Sequence, residues 1–221
     1  MAFGMAQASQ LDGGWGTIAA LVAADGTATH PVATALAQPT APLRDVADAI
    51  HALCMLHGRH PGAIDHAVAS NADPLAEAWL AEAAHAFTGE RAYLAQLTAA
   101  AGPLPSTPGQ SETEAAIVAQ SHALDMLAQS DRNGCAIGAS VALILDWRAV
   151  RAVLDAAALR LGVLPAWLAL PLDADTVSLV AALATSAGVE RAMAFGAQQV
   201  LAQHRALWDL LDVRRSARDD L

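Results

Sequence analysis

The chain has 221 residues, 55% of them hydrophobic and 15% charged, enough to bury one core but short for several domains. Its formal charge is -10 and every basic residue is Arg; an acidic surface repels phosphate backbones, which excludes nucleic acid as a partner. Two cysteines, Cys54 and Cys135, make no disulfide framework, and the longest uncharged apolar run, residues 134–145, falls short of the roughly 18 residues of a bilayer span.

These totals point to a cytoplasmic protein with no membrane partner, and the opening MAFGMAQASQLDGG has neither the basic start nor the apolar stretch of a signal peptide. Aromatic residues are 4% of the chain, so Ala, Leu and Val must build the core. Ala and Leu favour helix when summed over long windows, and no alternating Val/Ile run suggests a strand. The expectation is an all-α, single-domain bundle of six or seven helices.

Residues 1–40 read as an irregular N-terminal segment with short helices in TIAALVAA and HPVATALAQ; the bundle domain occupies residues 41–221. GWGTIA matches a dinucleotide-binding pattern, but no strand precedes it, so it carries no such site. APLRDVADAIHALCMLHGRH is the first clear helix, with Val46, Ile50, Leu53 and His57 on one face. Pro61 ends it, because the residue before a proline is pushed out of the α region. PGAIDHAVAS is a short second helix. Asp73 then caps a long helix with Pro74 at its first position, running to Gly102 with a bend at Gly89.

GPLPSTPG is a rigid loop, and SETE places a capping box at Ser111 and Glu114. The helical pattern continues to Gly162, broken at SDRNG, and its second half opens apolar on most sides, which marks it as central. VLPAWLALPLDAD is a proline-bounded connection. The remainder is one bent helix or two. Arg214, Arg215 and Arg218, followed by Asp219 and Asp220, read as a solvated helix end.

Several constellations bear on chemistry. HGRHPGAIDHA, residues 57–67, holds His57 and His60 one turn apart, with Asp65 and His66 past the corner. His57 lies on the Val46–Ile50–Leu53 stripe, and His204 shares a face with Val200, Leu207 and Leu211. Each is either a buried residue with one hydrogen-bond partner or a ligand; on separate helices the two can be a pair of metal ligands, or an axial ligand and a distal group. Glu82 and His85 make E-x-x-H, and His122 and Asp125 a reversed H-x-x-D on another helix; with Glu90 and Glu190 they offer a mixed carboxylate and imidazole metal site, or else they sit on solvated faces. Asp146 ends the run VALILD and must be paired, since a lone buried charge costs several kcal/mol; Arg148 and Arg151 are near in sequence, and another helix is the other source. Gly134 and Gly138 form GxxxG, a place of close approach for a second helix or a flat ligand. Cys135 sits in an apolar stretch that disfavours its thiolate, and neither G-x-S-x-G nor H-E-x-x-H occurs.

The E-x-x-H of Glu82 and His85, on a long bundle helix, resembles a ferritin-type di-iron protein, which implies iron held by Glu82, His85, His122 and Asp125. The H-x-x-H helix followed by GCAIGAS is similar in outline to the heme-oxygenase and thiaminase-II fold. That resemblance implies a heme bound by His57, with Gly134 and Gly138 on the distal side. Whether the chain is an enzyme stays open. One reading is a non-catalytic bundle that binds a small apolar ligand or a protein partner and forms a homodimer. The alternative is a metal- or heme-dependent oxidoreductase with its site in the bundle core.

Overall fold

The structure is a computed structural model that describes residues 13–71 and 73–219, and among them the chain is helical with no strand. The helices are α1 (Gly14–Asp25), α2 (Pro31–Leu36), α3 (Leu43–His57), α4 (Ala63–Ser70), α5 (Pro74–Ala101), α6 (Gln110–Ala128), α7 (Cys135–Leu161), α8 (Asp173–Leu183) and α9 (Ala187–Asp219), with a 3-10 turn at Thr27–Thr29. The described residues form nine helices, more than the six or seven expected, because the N-terminal segment adds α1 and α2. The final stretch divides in two at residues 184–186. No helix among the described residues is long and apolar enough to cross a membrane.

Helix α7 is central. It packs against α4, α5, α6 and α9, and against α1, α2 and the 3-10 turn. Its first half is buried from Cys135 to Ile144 apart from the half-buried Ala136, which is why its sequence is apolar on most sides. The segment before residue 41 is more regular than its composition suggests. Ile18, Val32, Ala33 and Leu36 belong to the same core as Ile50, Leu143 and Trp147, so α1 and α2 complete the bundle; residues 1–12 of that segment lie outside the described residues.

Local chemistry sets the ends. Asp73 accepts from Leu75 N–H at 3.0 Å, with Pro74 at the first helical position of α5. His30 caps α2 through Nδ1, which accepts from Val32 N–H at 3.3 Å. One expectation fails locally. Helix α6 begins at Gln110, one residue before Ser111, because Gly109 takes a left-handed conformation (φ 73°) that closes the preceding turn; Glu114 accepts from the Gln110 side chain instead of forming a capping box. Gly89 does not interrupt α5, which stays helical throughout.

Helices α7 and α9 approach backbone to backbone. A Cβ on Gly138 would lie 2.0 Å from the Met193 carbonyl oxygen, and one on Gly196 would lie 2.1 Å from that of Cys135. Backbone therefore meets backbone from both sides, and the GxxxG spacing serves a helix rather than a flat ligand. Gly138→Ala is expected to destabilise the fold by about 1–3 kcal/mol through overpacking. Gly89→Ala, where a Cβ meets nothing within 4 Å, is expected to stabilise it by up to about 1 kcal/mol. Urea unfolding of both variants checks this; a Gly138→Ala protein as stable as the parent would contradict the backbone contact.

Candidate functional site

Two places gather polar groups that a simple core does not need. One is inside the bundle. Asp146 on α7 is 1% exposed, and both its oxygens are held from other elements. Oδ1 accepts from Thr27 N–H at 2.6 Å, and Oδ2 from the Thr27 hydroxyl and His204 Nδ1, each at 2.6 Å. The Thr27 hydroxyl in turn accepts from Trp208 Nε1–H at 3.0 Å. Gly26 permits this approach, since a Cβ there would lie 2.7 Å from Asp146 Oδ1. His204 Nε2 faces His57 Nε2 at 3.0 Å, and the His57 ring meets Trp147 edge-on, with centroids 5.0 Å apart.

The protonation pattern follows from these partners. Burial pushes the Asp146 pKa up, but the hydrogen bonds and charge of His204 and the two bonds from Thr27 outweigh it, so the group sits below its ordinary value and is ionised. His204 Nδ1 donates to that carboxylate, and its Nε2 lies within hydrogen-bond distance of His57 Nε2. Burial, reinforced by the charge of His204, holds the His57 pKa well below its ordinary value, so His57 is neutral. The arrangement can pass one proton between two imidazoles, with Asp146 as its anchor.

Trp147 leads to a second buried set. Its Nε1–H donates to Glu90 Oε2 at 2.7 Å, and Arg151 Nη1 donates to Glu90 Oε1 at 2.7 Å. Arg151 also donates to Asp155 Oδ1 and to the Ala166 carbonyl, and lies over the Tyr93 ring. Burial raises the Glu90 pKa despite these donors.

The HGRHPGAIDHA corner is stapled by ion pairs. Asp65 accepts from Gly62 N–H, Arg91 and His60, while Asp125 pairs with Arg59 and has His66 Nε2 at 3.8 Å. His57, Arg59, Arg91, Ser121 and Asp125 border a cavity of about 10 Å³, space for roughly one water.

The expected metal set does not converge. Glu82, His85 and His122 are exposed, and Asp125 is engaged by Arg59. Among the described residues no group of three or more His, Cys, Asp or Glu side chains has metal-holding geometry. The heme set does not fit a macrocycle. His57 Nε2 is occupied by His204, Gly138 is sealed by Met193, and Gly134 borders a different cleft. What the structure does bring together is His57 and His204, the two histidines on apolar stripes. Thr27, Trp147 and Trp208 complete their network without having signalled it: Thr27 lies in a stretch with no periodicity, and an indole in an apolar run reads only as core.

The other place is a groove of about 240 Å³ where α2 and the following loop meet the start of α3 and the end of α9. Val32, Leu36, Ala41, Pro42 and Leu211 give it apolar walls, and Asp45, Asp48, Arg215 and Arg218 supply its charges. Arg214 and Arg218 are not a solvated helix end, as their sequence context suggested. They turn inward to Asp45 and Asp48, which α3 presents from its buried first turns: Arg214 Nη2 donates to Asp48 Oδ1 at 3.0 Å, and Arg218 Nη2 to Asp45 Oδ1 at 2.6 Å, with a further close pair from Arg218 Nη1 to Asp48. Thr107 accepts from both arginines. A larger cleft of about 500 Å³ lies at Asn71, Asp73 and residues 130–134, but the buried residues in its lining, Ala67, Ile137 and Leu183, are all apolar.

Residues 22–219 match the model of a family described as a family of unknown function (DUF6975), and the chain belongs to that family. The match carries no ferritin-like or heme-oxygenase-like assignment. Neither the curated proteins nor the solved structures contain a match to the chain.

Asp146→Ala leaves three buried donors, from Thr27 and His204, without their acceptor, and is expected to cost about 3–5 kcal/mol in urea unfolding. The pH dependence has a definite sign. His57 is depressed in the folded chain, so below about pH 6.5 the unfolded chain takes a proton that the folded chain refuses. Stability therefore falls as pH drops from 7.5 to 5.5, above the range where ordinary carboxylates titrate, with His57 contributing up to about 1.4 kcal/mol per unit below 6.5. His57→Gln should show a smaller slope over that interval; an unchanged slope would mean that His57 is not held neutral.

Proposed function

We propose that this member of the family is a non-catalytic helical bundle that binds a small apolar ligand in the groove between α2, α3 and α9. The observation that carries this reading is the combination of apolar walls with a few buried, fixed charges. Such lining is the usual make-up of a small-molecule site, in which apolar contact supplies affinity and a handful of polar groups set orientation. The groove volume suits a molecule of modest size.

The alternative reading, a metal- or heme-dependent oxidoreductase in the core, has less to support it. The histidine pair lies in the right region, but its nitrogen atoms are turned on each other and bordered by space for a single water.

Isothermal titration of the full chain with 2-octanone, an apolar probe with one oxygen, tests the groove reading. Binding should stabilise the folded state and raise Tm as the ligand exceeds its Kd. Ala35 lines the groove and is exposed, so Ala35→Trp fills the space without disturbing the core. That variant should fold normally and lose the titration heat. Undiminished binding by a folded Ala35→Trp protein would move the ligand elsewhere.

A further inference from the structure

The connection between α7 and α8, residues 162–172, holds apolar side chains that the bundle leaves uncovered. Trp167 is 89% exposed, Leu164 88% and Leu172 66%. Ala166, Leu168 and Leu170 pack against the core instead. From Ala166 to Leu170 half-buried and exposed residues alternate, the two-residue period of an extended strand. Two arginines of α7 tie this strap down. Arg151 donates to the Ala166 carbonyl at 2.6 Å, and Arg148 reaches the Pro171 carbonyl at 3.5 Å.

The strap has no strand beside it. Among the described residues no backbone N–H from Leu164 to Leu172 finds a protein acceptor, and the carbonyls of Trp167 and Ala169 have no protein donor. An unpaired apolar edge is a template for a second strand. In an extended strand Trp167 and Ala169 direct their N–H and C=O groups to the same edge. Pro165 and Pro171 fall on that edge too and lack an N–H, so a ladder formed there ends at them.

We infer that this strap is the interface of a homodimer, in which two copies pair antiparallel about a two-fold axis at Leu168. Trp167 of each copy then lies opposite Ala169 of the other, each pair exchanging both its N–H···O bonds. On the outer face a large indole covers a small methyl, twice by symmetry. The charges fit the same orientation. Arg160, before the strap, donates to the Ala41 carbonyl but has no carboxylate partner, and the exposed Asp175, beyond it, has no cation among the described residues. Antiparallel pairing sets the Arg160 end of one copy beside the Asp175 end of the other; parallel pairing sets like charge beside like.

Sedimentation of the full chain at about 100 μM should show a dimer. Trp167 and Ala169 are exposed, so Trp167→Glu and Ala169→Pro should leave the fold intact. The first places a charge in the interface, and the second removes a ladder N–H. Each should weaken dimerisation about tenfold or more. Leu75→Glu, at an exposed apolar position on α5, should leave it unchanged. In a mixed dimer of ¹³C-labelled and unlabelled copies, an isotope-filtered NOE should join the Trp167 indole to the Ala169 methyl. A monomer at that concentration overturns the inference, including one that binds phosphatidylcholine vesicles through Trp167. So does a dimer that neither strap variant weakens, or one without that NOE. The NOE in the parent protein decides the matter even if a variant does not fold.

Discussion

The fold is organised around one buried carboxylate. Asp146 sits near the middle of the central helix, where an unpaired charge would be prohibitive. Its satisfaction draws in the backbone and hydroxyl of Thr27 from the N-terminal segment and the imidazole of His204 from the last long helix. Residues far apart in sequence are thereby held to one point, and the apolar packing of α1, α7 and α9 is registered by polar contacts with little tolerance in distance. Apolar faces of Ala and Leu slide against one another at small cost; a charge with three donors at 2.6 Å does not.

The same device recurs at two other places. Glu90 joins α5 to α7 through Trp147 and Arg151, and the Asp45–Asp48 pair joins α3 to α9 through Arg214 and Arg218. Each network crosses between two helices far apart in sequence. With so few aromatic residues the core has limited shape information, and ionic contacts supply register that bulky side chains would otherwise give. Trp147, Trp208 and Tyr93, among the few large rings, each carry a polar atom tied into these networks, so ring packing and hydrogen bonding are set by the same residues.

What the sequence discloses follows from the range of the interaction involved. Helices are local, so α3, α5 and α7 are legible in their periodicity, caps and glycines. The apolar stripes holding His57 and His204 are local too, and both residues are buried as those stripes require. That the two rings meet is not local: the positions are 147 apart, and nothing in either helix points to the other. Glu82, His85 and His122 show the converse. Their spacing places two groups on one face, but spacing cannot say which face turns inward, and these turn to solvent. Arg214 and Arg218 mislead for a related reason. Arg at a helix C-terminus has a sufficient local explanation in the helix dipole, which hides the two aspartates on α3 that account for their burial.

The contrast between the two polar sites bears on which of them meets a ligand. In the core, Asp146 takes three hydrogens, His204 uses both nitrogens, and His57 meets it through Nε2. At the groove, Asp45 and Arg218 border open space beside the apolar side chains of Val32, Leu36 and Leu211. The histidines attract notice in the sequence because histidine is so often chemical. Beside His57 there is room for about one water, whereas the quieter groove has about 240 Å³ between apolar walls.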